Sequence, residues 1–370
     1  MIAKHKVCHI TTAHPQTDIR IFHKQCKSLA KAGYEVVLLV GNGTDDEIDG
    51  VRIVGVSIDY DGRLKRFLRA GKALYEAAVK ENAEIYHFHD PEFLPFADKL
   101  AKAGCKVIFD SHENVGQQIM SKYYIPKPLR SLISWMYVHF ERLKIKKLSA
   151  VIGATDQISQ YFRKVHSRTL SVMNFPLLNE LPTMPEGIKR ETQVAYVGGI
   201  STIRCAYQMV DMLEHTPAEL KIGGGFSPSS LKVELEKRTG WEKVEYLGYL
   251  DRTAVWDLYA KCSAGLVLFK PEPNHLESQP NKMFEYMMAG LPVIGSDFPL
   301  WKEIIEKESC GICINSEDVH EIAEAVNKLL ADPELIESMG RNGRKAVEKK
   351  FNWSTQEAKL LDLYKDLLND

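Results

Sequence analysis

Two carboxylates and an ammonium group stand close together late in the chain. They are Glu277, Lys282 and Glu285, within the stretch AGLVLFKPEPNHLESQPNKMFEYMMAGLPVIGSD. Carboxylates accept hydrogen bonds from sugar or ribose hydroxyls, and a lysine meets a phosphate as a point charge. Lys282 precedes Glu285 by three positions, so a helix places both on nearly the same face. The elements that must position them are legible too. Residues 264–269 read as a buried strand, followed by a polar loop carrying Pro271 and Pro273. Pro280 opens a short helix where a missing N–H costs nothing, Gly290 closes it, and the next strand begins near 292. The free N–H groups at the start of that helix attract anions. A ligand with both hydroxyls and phosphates, such as a nucleotide sugar, suits this corner.

Strands and helices alternate on both sides of it. In the first half, strands are expected at 6–12, 35–41, 51–58, 84–90, 106–112 and 150–155, with helices at 20–32 and 63–80 among them. In the second half, strands are expected at 193–199, 219–225, 243–250, 264–269, 292–297 and 311–315. Such alternation implies α/β architecture with parallel, doubly wound sheets, and ligands at the C-terminal ends of the strands. A chain of 370 residues is long for one core. Between 173 and 187 the helical period is lost and prolines accumulate. The expected division is an N-terminal domain at 1–175, a linker at 176–190 and a second Rossmann-like domain at 191–350. A C-terminal helix at 351–370 is free to cross back to the first domain.

Composition removes several classes of function. At 45% hydrophobic and 26% charged residues, the chain is that of an ordinary globular protein, with no apolar run of membrane-spanning length and no secretory leader. Seven scattered cysteines do not make a disulfide framework. Cys310 and Cys313 lack a second ligand pair and read as the start of a buried strand. Asp59-Tyr60-Asp61 reads as a polar turn rather than a metal site. No Gly-x-Gly-x-x-Gly follows the first strand, which argues against a dinucleotide dehydrogenase. Residues 1–170 carry 26 basic and 18 acidic side chains and the remainder 22 and 31, so a basic half is joined to an acidic one. Without a nucleic-acid motif, that asymmetry points to an anionic surface or acceptor rather than to nucleic acid.

The segment NKMFEYMMAGLPVIGSD, preceded by Glu277, resembles the donor-site signature of the retaining glycosyltransferases of family four. These have the GT-B fold, two Rossmann-like domains facing across a cleft. The resemblance extends to residues 4–41 and to Tyr196-Val197-Gly198-Gly199-Ile200, which is similar to the start of the family's second domain. It implies transfer of a hexose from a UDP- or GDP-sugar to a hydroxyl of a glycan or lipid-linked acceptor, in bacterial assembly of capsule, exopolysaccharide or lipopolysaccharide. It implies neither a cofactor nor a metal. Glu277 would contact the donor sugar and Glu285 the ribose, with Asn281 and Gly199 also on the donor side. His89 and His112, at the ends of successive strands, would face the reacting centre; a histidine in such a place is otherwise structural.

Two positions depart from the family pattern. Gly199 stands where an arginine is expected, so the diphosphate clamp falls to Arg204 and Lys282. Thr17-Asp18-Ile19-Arg20 replaces a glycine pair, and Asp18 and Arg20 become acceptor-side candidates; capping of the following helix by Asp18 is the competing reading. Residues 119–148 hold a stripe of Leu129, Leu132, Ile133, Met136, Phe140 and Leu143 beside Lys127, Arg130, Arg142, Lys144, Lys146 and Lys147. It is either a core helix with a basic end or, with Arg63, Lys65, Arg66, Arg69 and Lys72, a surface resting on anionic lipid. A cytoplasmic protein, peripheral at the inner face of the plasma membrane, is the expectation. A nucleotide-sugar 2-epimerase on the same fold and a non-catalytic nucleotide-sugar-binding protein are the alternatives.

Overall fold

The computed structural model describes residues 5–58, 63–122, 125–178, 190–276 and 278–369, with side chains except at 63–68, 121 and 274. Glu277, Asp59-Tyr60-Asp61 and most of the expected linker lie outside the described residues, as do the side chains of Arg63, Lys65 and Arg66. The chain forms two compact units, Met1–Asn174 with Trp353–Asp370, and Phe175–Asn352.

The first unit is built on eight strands: β1 Lys6–Thr11, β2 Glu35–Gly41, β3 Asp46–Ile48, β4 Val51–Val56, β5 Ile85–Phe88, β6 Lys106–Ser111, β7 Ala150–Gly153 and β8 Thr169–Ser171. Their order in the sheet is β3-β4-β2-β1-β5-β6-β7-β8. All pairings are parallel except β3 with β4. The uninterrupted apolar runs of the central strands follow from helices covering both faces, and Val36 to Val40 are all buried. Each such side chain contributes roughly 1.5–3 kcal/mol on leaving water. The C-terminal helix Trp353–Asn369 belongs to this unit: Trp353 Nε1 donates to Ser28 Oγ at 2.9 Å, and Gln356 Oε1 accepts from the Met173 amide at 3.0 Å.

The helix Lys127–Ile145 is not a core helix. Leu129, Leu132, Ile133, Trp135, Met136 and Leu143 are all exposed, Trp135 at 65%. Ile145, outside the expected stripe, and Glu141 are the buried side chains of this helix. Glu141 anchors it, accepting from Tyr137 Oη at 3.0 Å and Tyr161 Oη at 2.9 Å.

The second unit holds β9 Gln193–Val197, β10 Ile200–Ser201, β11 Glu219–Gly223, β12 Phe226–Ser227, β13 Val244–Gly248, β14 Ala264–Val267, β15 Val293–Ser296 and β16 Gly311–Ile314. Six of them make a parallel sheet in the order β13-β11-β9-β14-β15-β16, while β10 and β12 pair separately. Cys310 is buried just before β16 and Cys313 lies within it; burial pushes both thiols up to about 12, so they pack as apolar groups. Among the described residues, no helix is long and apolar enough to cross a membrane.

Candidate functional site

In the second unit, the ends of β9 and β14 and the helix Asn281–Met288 converge. The turn after β9 is made of Gly198, at φ +138°, and Gly199. A Cβ on Gly198 would lie 3.0 Å from Lys282 Nζ and 3.7 Å from an Arg204 guanidinium nitrogen. The two expected clamp residues therefore meet over a bare backbone turn. On the other side, a Cβ on Gly224 would come within 2.0 Å of the Gly198 carbonyl, so that glycine is required for close packing of two loops. The Gly199 carbonyl accepts from Tyr196 Oη at 2.6 Å and from Arg204 at 3.1 Å, which fixes the turn and aims the guanidinium. Arg204 also lies over the Phe269 ring, 5.4 Å from its centroid.

Lys282 is the unusual member. Its Nζ is buried, has no hydrogen-bond partner among the described residues, and sits 3.6 Å from the centroid of the Tyr196 ring. Burial, reinforced by the neighbouring Arg204, lowers its pKa well below that of an ordinary lysine, with Glu285 acting in the opposite sense. A buried cation that is not hydrogen-bonded to a counter-charge is costly. An incoming polyanion would supply the missing partner. The positive end of the helix Asn281–Met288 lies at the same corner, where Asn281 stands exposed.

Glu285 lies one turn further along, half-buried, and accepts from Arg252 at 2.8 Å. Arg252 in turn lies over Trp256, 5.2 Å from the ring centroid. The helix is held from behind by Arg190, whose guanidinium donates to the carbonyls of Gly290 at 2.6 Å, Cys262 at 2.7 Å and Tyr259 at 3.1 Å. A cation on the closing carbonyls of two helices suits their dipoles. Neither arginine shows a sequence signal: Arg190 lies at the end of the expected linker, and Arg252 opens an ordinary helix capped by Asp251.

The first unit gathers polar groups at the C-terminal ends of β1, β5 and β6. Asp110 is fully buried and takes a bidentate pair from Arg20, at 2.6 and 2.9 Å, together with Gln25 Nε2 at 2.8 Å. Burial opposes ionisation of Asp110, but Arg20, then His112 and His89, hold its carboxyl well below the usual carboxylate range. Arg20 also donates to the Val172 carbonyl at 2.7 Å and is 4% exposed. It is thus a structural cation, not the acceptor contact expected from its place in the sequence. Asp18 fulfils the capping reading, accepting from the Arg20 and Ile21 amides at 2.8 and 2.9 Å.

Both ring nitrogens of His89 are turned to protein: Nε2 to His9 Nδ1 at 3.1 Å, and Nδ1 to Asp110 at 3.3 Å. Burial pushes this imidazole down to about 3. His89 therefore orders the site from beneath and leaves no nitrogen facing solvent. His112 is the accessible histidine of the pair. Its side chain is 19% exposed, its Nε2 faces Asp110 at 3.4 Å, and its ring meets His14 edge-on at 5.0 Å. His14 lies near Asp18 and Asp90, and the hydrogen bond it donates to Asp18 raises its pKa. Asp90 is fixed by Thr11 Oγ1 at 2.8 Å and the Thr12 amide at 2.7 Å. Two histidine groupings here lie close enough to hold a metal ion, His9-His87-His89 and His89-Asp110-His112. The carboxylate of the second grouping is committed to Arg20, and a cation so close to that guanidinium would be repelled.

Comparison with known proteins adds a second line of observation. Residues 192–346 match the family described as glycosyl transferases group 1, and residues 19–172 match the glycosyl transferase 4-like domain. The capsular polysaccharide biosynthesis glycosyltransferase CapM of Staphylococcus aureus is 31% identical over 98 residues, 26% of each chain. The chain spans two fifths or less of the length of the curated relatives it matches. Among solved structures, sucrose-phosphate synthase from Thermosynechococcus elongatus superposes with a TM-score of 0.78 at 19% identity, covering 99% of this chain and 100% of that one. The Anabaena protein HepE, in complex with UDP-glucose, superposes with a TM-score of 0.73 at 14% identity, covering 98% and 99%. At these identities the superpositions establish the fold.

Proposed function

We propose that the chain, whose two halves match two glycosyltransferase families, is a retaining hexosyltransferase using a nucleotide diphosphate sugar. The acceptor would be a hydroxyl of a glycan or lipid-linked intermediate in cell-surface polysaccharide synthesis, the setting named for the staphylococcal relative. The observation that carries this reading is the buried Lys282 Nζ, without a hydrogen-bond partner among the described residues, beside Arg204 and the Gly198-Gly199 turn. It is an anion seat built before any anion arrives. Lys282, Arg204 and the helix N-terminus would take the diphosphate and offset charge developing on the leaving nucleotide, the part a metal plays elsewhere. On this reading no metal is needed. Glu285 would accept from the ribose hydroxyls, and Glu277 would contact the sugar.

UDP is the nucleotide held by the Anabaena neighbour, which makes UDP-sugars the first donors to try. In the first unit, His112 would meet the acceptor hydroxyl, with Asp110 and His89 behind it. The helix Lys127–Ile145 would rest on an anionic membrane. Its exposed apolar side chains adjoin Lys127, Arg142, Lys146 and Lys147, so apolar burial and charge attraction act together.

Thermal-shift screening against UDP, GDP, ADP and their sugars, with and without EDTA, tests the donor site. Binding raises the melting temperature by mass action. One nucleotide family should stabilise the wild type without metal, and Glu285→Ala should lose that response. No response, or one that EDTA abolishes, refutes the reading. Product analysis with that donor then separates glycoside formation from an epimerised donor.

A further inference from the structure

A closed loop of polar contacts runs through the core of the first unit. From Asp110 it passes to His89 Nδ1 at 3.3 Å, from His89 Nε2 to His9 Nδ1 at 3.1 Å, and from His9 Nε2 to Tyr364 Oη at 3.0 Å. It returns from Tyr364 Oη to His87 Nδ1 at 2.8 Å and from His87 Nε2 to Asp110 at 4.0 Å. All five residues are buried, and Tyr364 comes from the C-terminal helix. We infer that Tyr364 is a positioning residue: its hydroxyl holds the His87 proton on Nδ1, and so reserves Asp110 for His89 and His112.

Counting protons leads there. Burial holds His9, His87 and His89 neutral and Tyr364 protonated, so each carries one mobile proton, while Asp110, paired with Arg20, carries none. Four protons serve five contacts, so one contact goes without. At any of the four shorter contacts, two lone pairs would oppose each other at 3.3 Å or less. Neither imidazole contact to Asp110 has hydrogen-bond geometry, and the longer one, from His87 Nε2 at 4.0 Å, is where a missing proton costs least. The direction of every bond then follows. His89 Nδ1–H points at Asp110, His9 Nδ1–H donates to His89 Nε2, Tyr364 O–H donates to His9 Nε2, and His87 Nδ1–H donates to Tyr364 Oη.

One consequence is that His89 has no nitrogen left for a ligand. A second is that Asp110 Oδ2, already taken by Arg20 and Gln25, faces two imidazole N–H groups rather than three. His112 also turns its Nε2 toward Asp110, at 3.4 Å. The value of this order to catalysis rests on the acceptor-side reading above; the order of the loop does not.

Long-range 15N–1H NMR of histidine-labelled full-length protein near pH 7.5 reads each tautomer without donor or acceptor. His9, His87 and His89 should all be in the Nδ1–H form. In Tyr364→Phe, His87 loses its acceptor and its proton should move to Nε2, toward Asp110, while His9 and His89 stay as they are. A simple packing role for Tyr364 would not move one tautomer selectively. An Nε2–H form of His9, His87 or His89 in the wild type overturns the proposal, and so does an unchanged His87 in the variant. Should the variant not fold, the wild-type tautomers alone decide. The nucleotide thermal shift reports on the second unit, so either reading can fail while the other stands.

Discussion

Replacing Lys282 with methionine should stabilise the free protein and abolish its response to nucleotide diphosphates. Among the described residues the buried Nζ atom makes no hydrogen bond; it lies 3.6 Å from the Tyr196 ring centroid, with Glu285 acting at longer range. Burying this amine, whether charged or stripped of its proton, costs several kcal/mol, of which a cation–π contact returns at most about 2 kcal/mol. Methionine keeps most of the apolar stem and gains a sulfur–aromatic contact worth about 0.3–1.5 kcal/mol. The net gain should be about 2 kcal/mol. For a unit the size of Phe175–Asn352 this raises Tm by about 4–8 °C.

The pH dependence has a definite sign. The folded-state pKa of Lys282 is lowered by burial and then by Arg204, while the unfolded chain titrates near 10.4. Between those values the unfolded state binds more protons, so wild-type stability rises with pH relative to the variant. The advantage of Lys282→Met should therefore shrink as pH approaches 10. Calorimetry of both proteins from pH 7 to 10, with and without the donor nucleotide, measures all of this. A variant that melts below the wild type at pH 7, or that keeps the nucleotide shift, refutes the anion-seat reasoning.

The same lysine should take up a proton when a diphosphate binds, because the anion restores its preference for charge. Titration calorimetry in buffers of different ionisation enthalpy should show that uptake, and affinity should fall as pH rises through the same window. Arg20→Ala should cost about 3–5 kcal/mol by leaving Asp110 buried and unpaired, read as a lower melting transition of the first unit. In the wild type, the lowered pKa of Asp110 contributes stability that is present above the unfolded carboxylate pKa near 3.9 and lost as pH falls below it, seen as a steep acid limb in Tm. Arg252→Ala should weaken nucleotide binding less than Glu285→Ala, because Arg252 only orients the carboxylate that would meet the ribose. Joint replacement of Trp135 and Met136 by serine should cut partition into anionic vesicles by about tenfold or more while moving stability by under about 0.5 kcal/mol, because both side chains are exposed.

Much of this was legible in the residues alone. Alternating apolar runs and glycine or proline punctuation placed the strands, since both are local consequences of burial and backbone geometry. The Pro280-to-Gly290 helix with Lys282 and Glu285 was legible for the same reason: one short element carries both side chains. Tertiary structure decided matters that depend on distant partners. Arg20 looked like a loop residue free to meet an acceptor, yet Asp110, ninety positions away, buries it in an ion pair. The helix Lys127–Ile145 has the periodicity of a core element, but periodicity says only which side chains share a face and not what covers that face. Tyr364 carries no local signal at all. Its role arises because the last helix packs on the first strands and brings one hydroxyl between two histidines, and only the fold sets that distance.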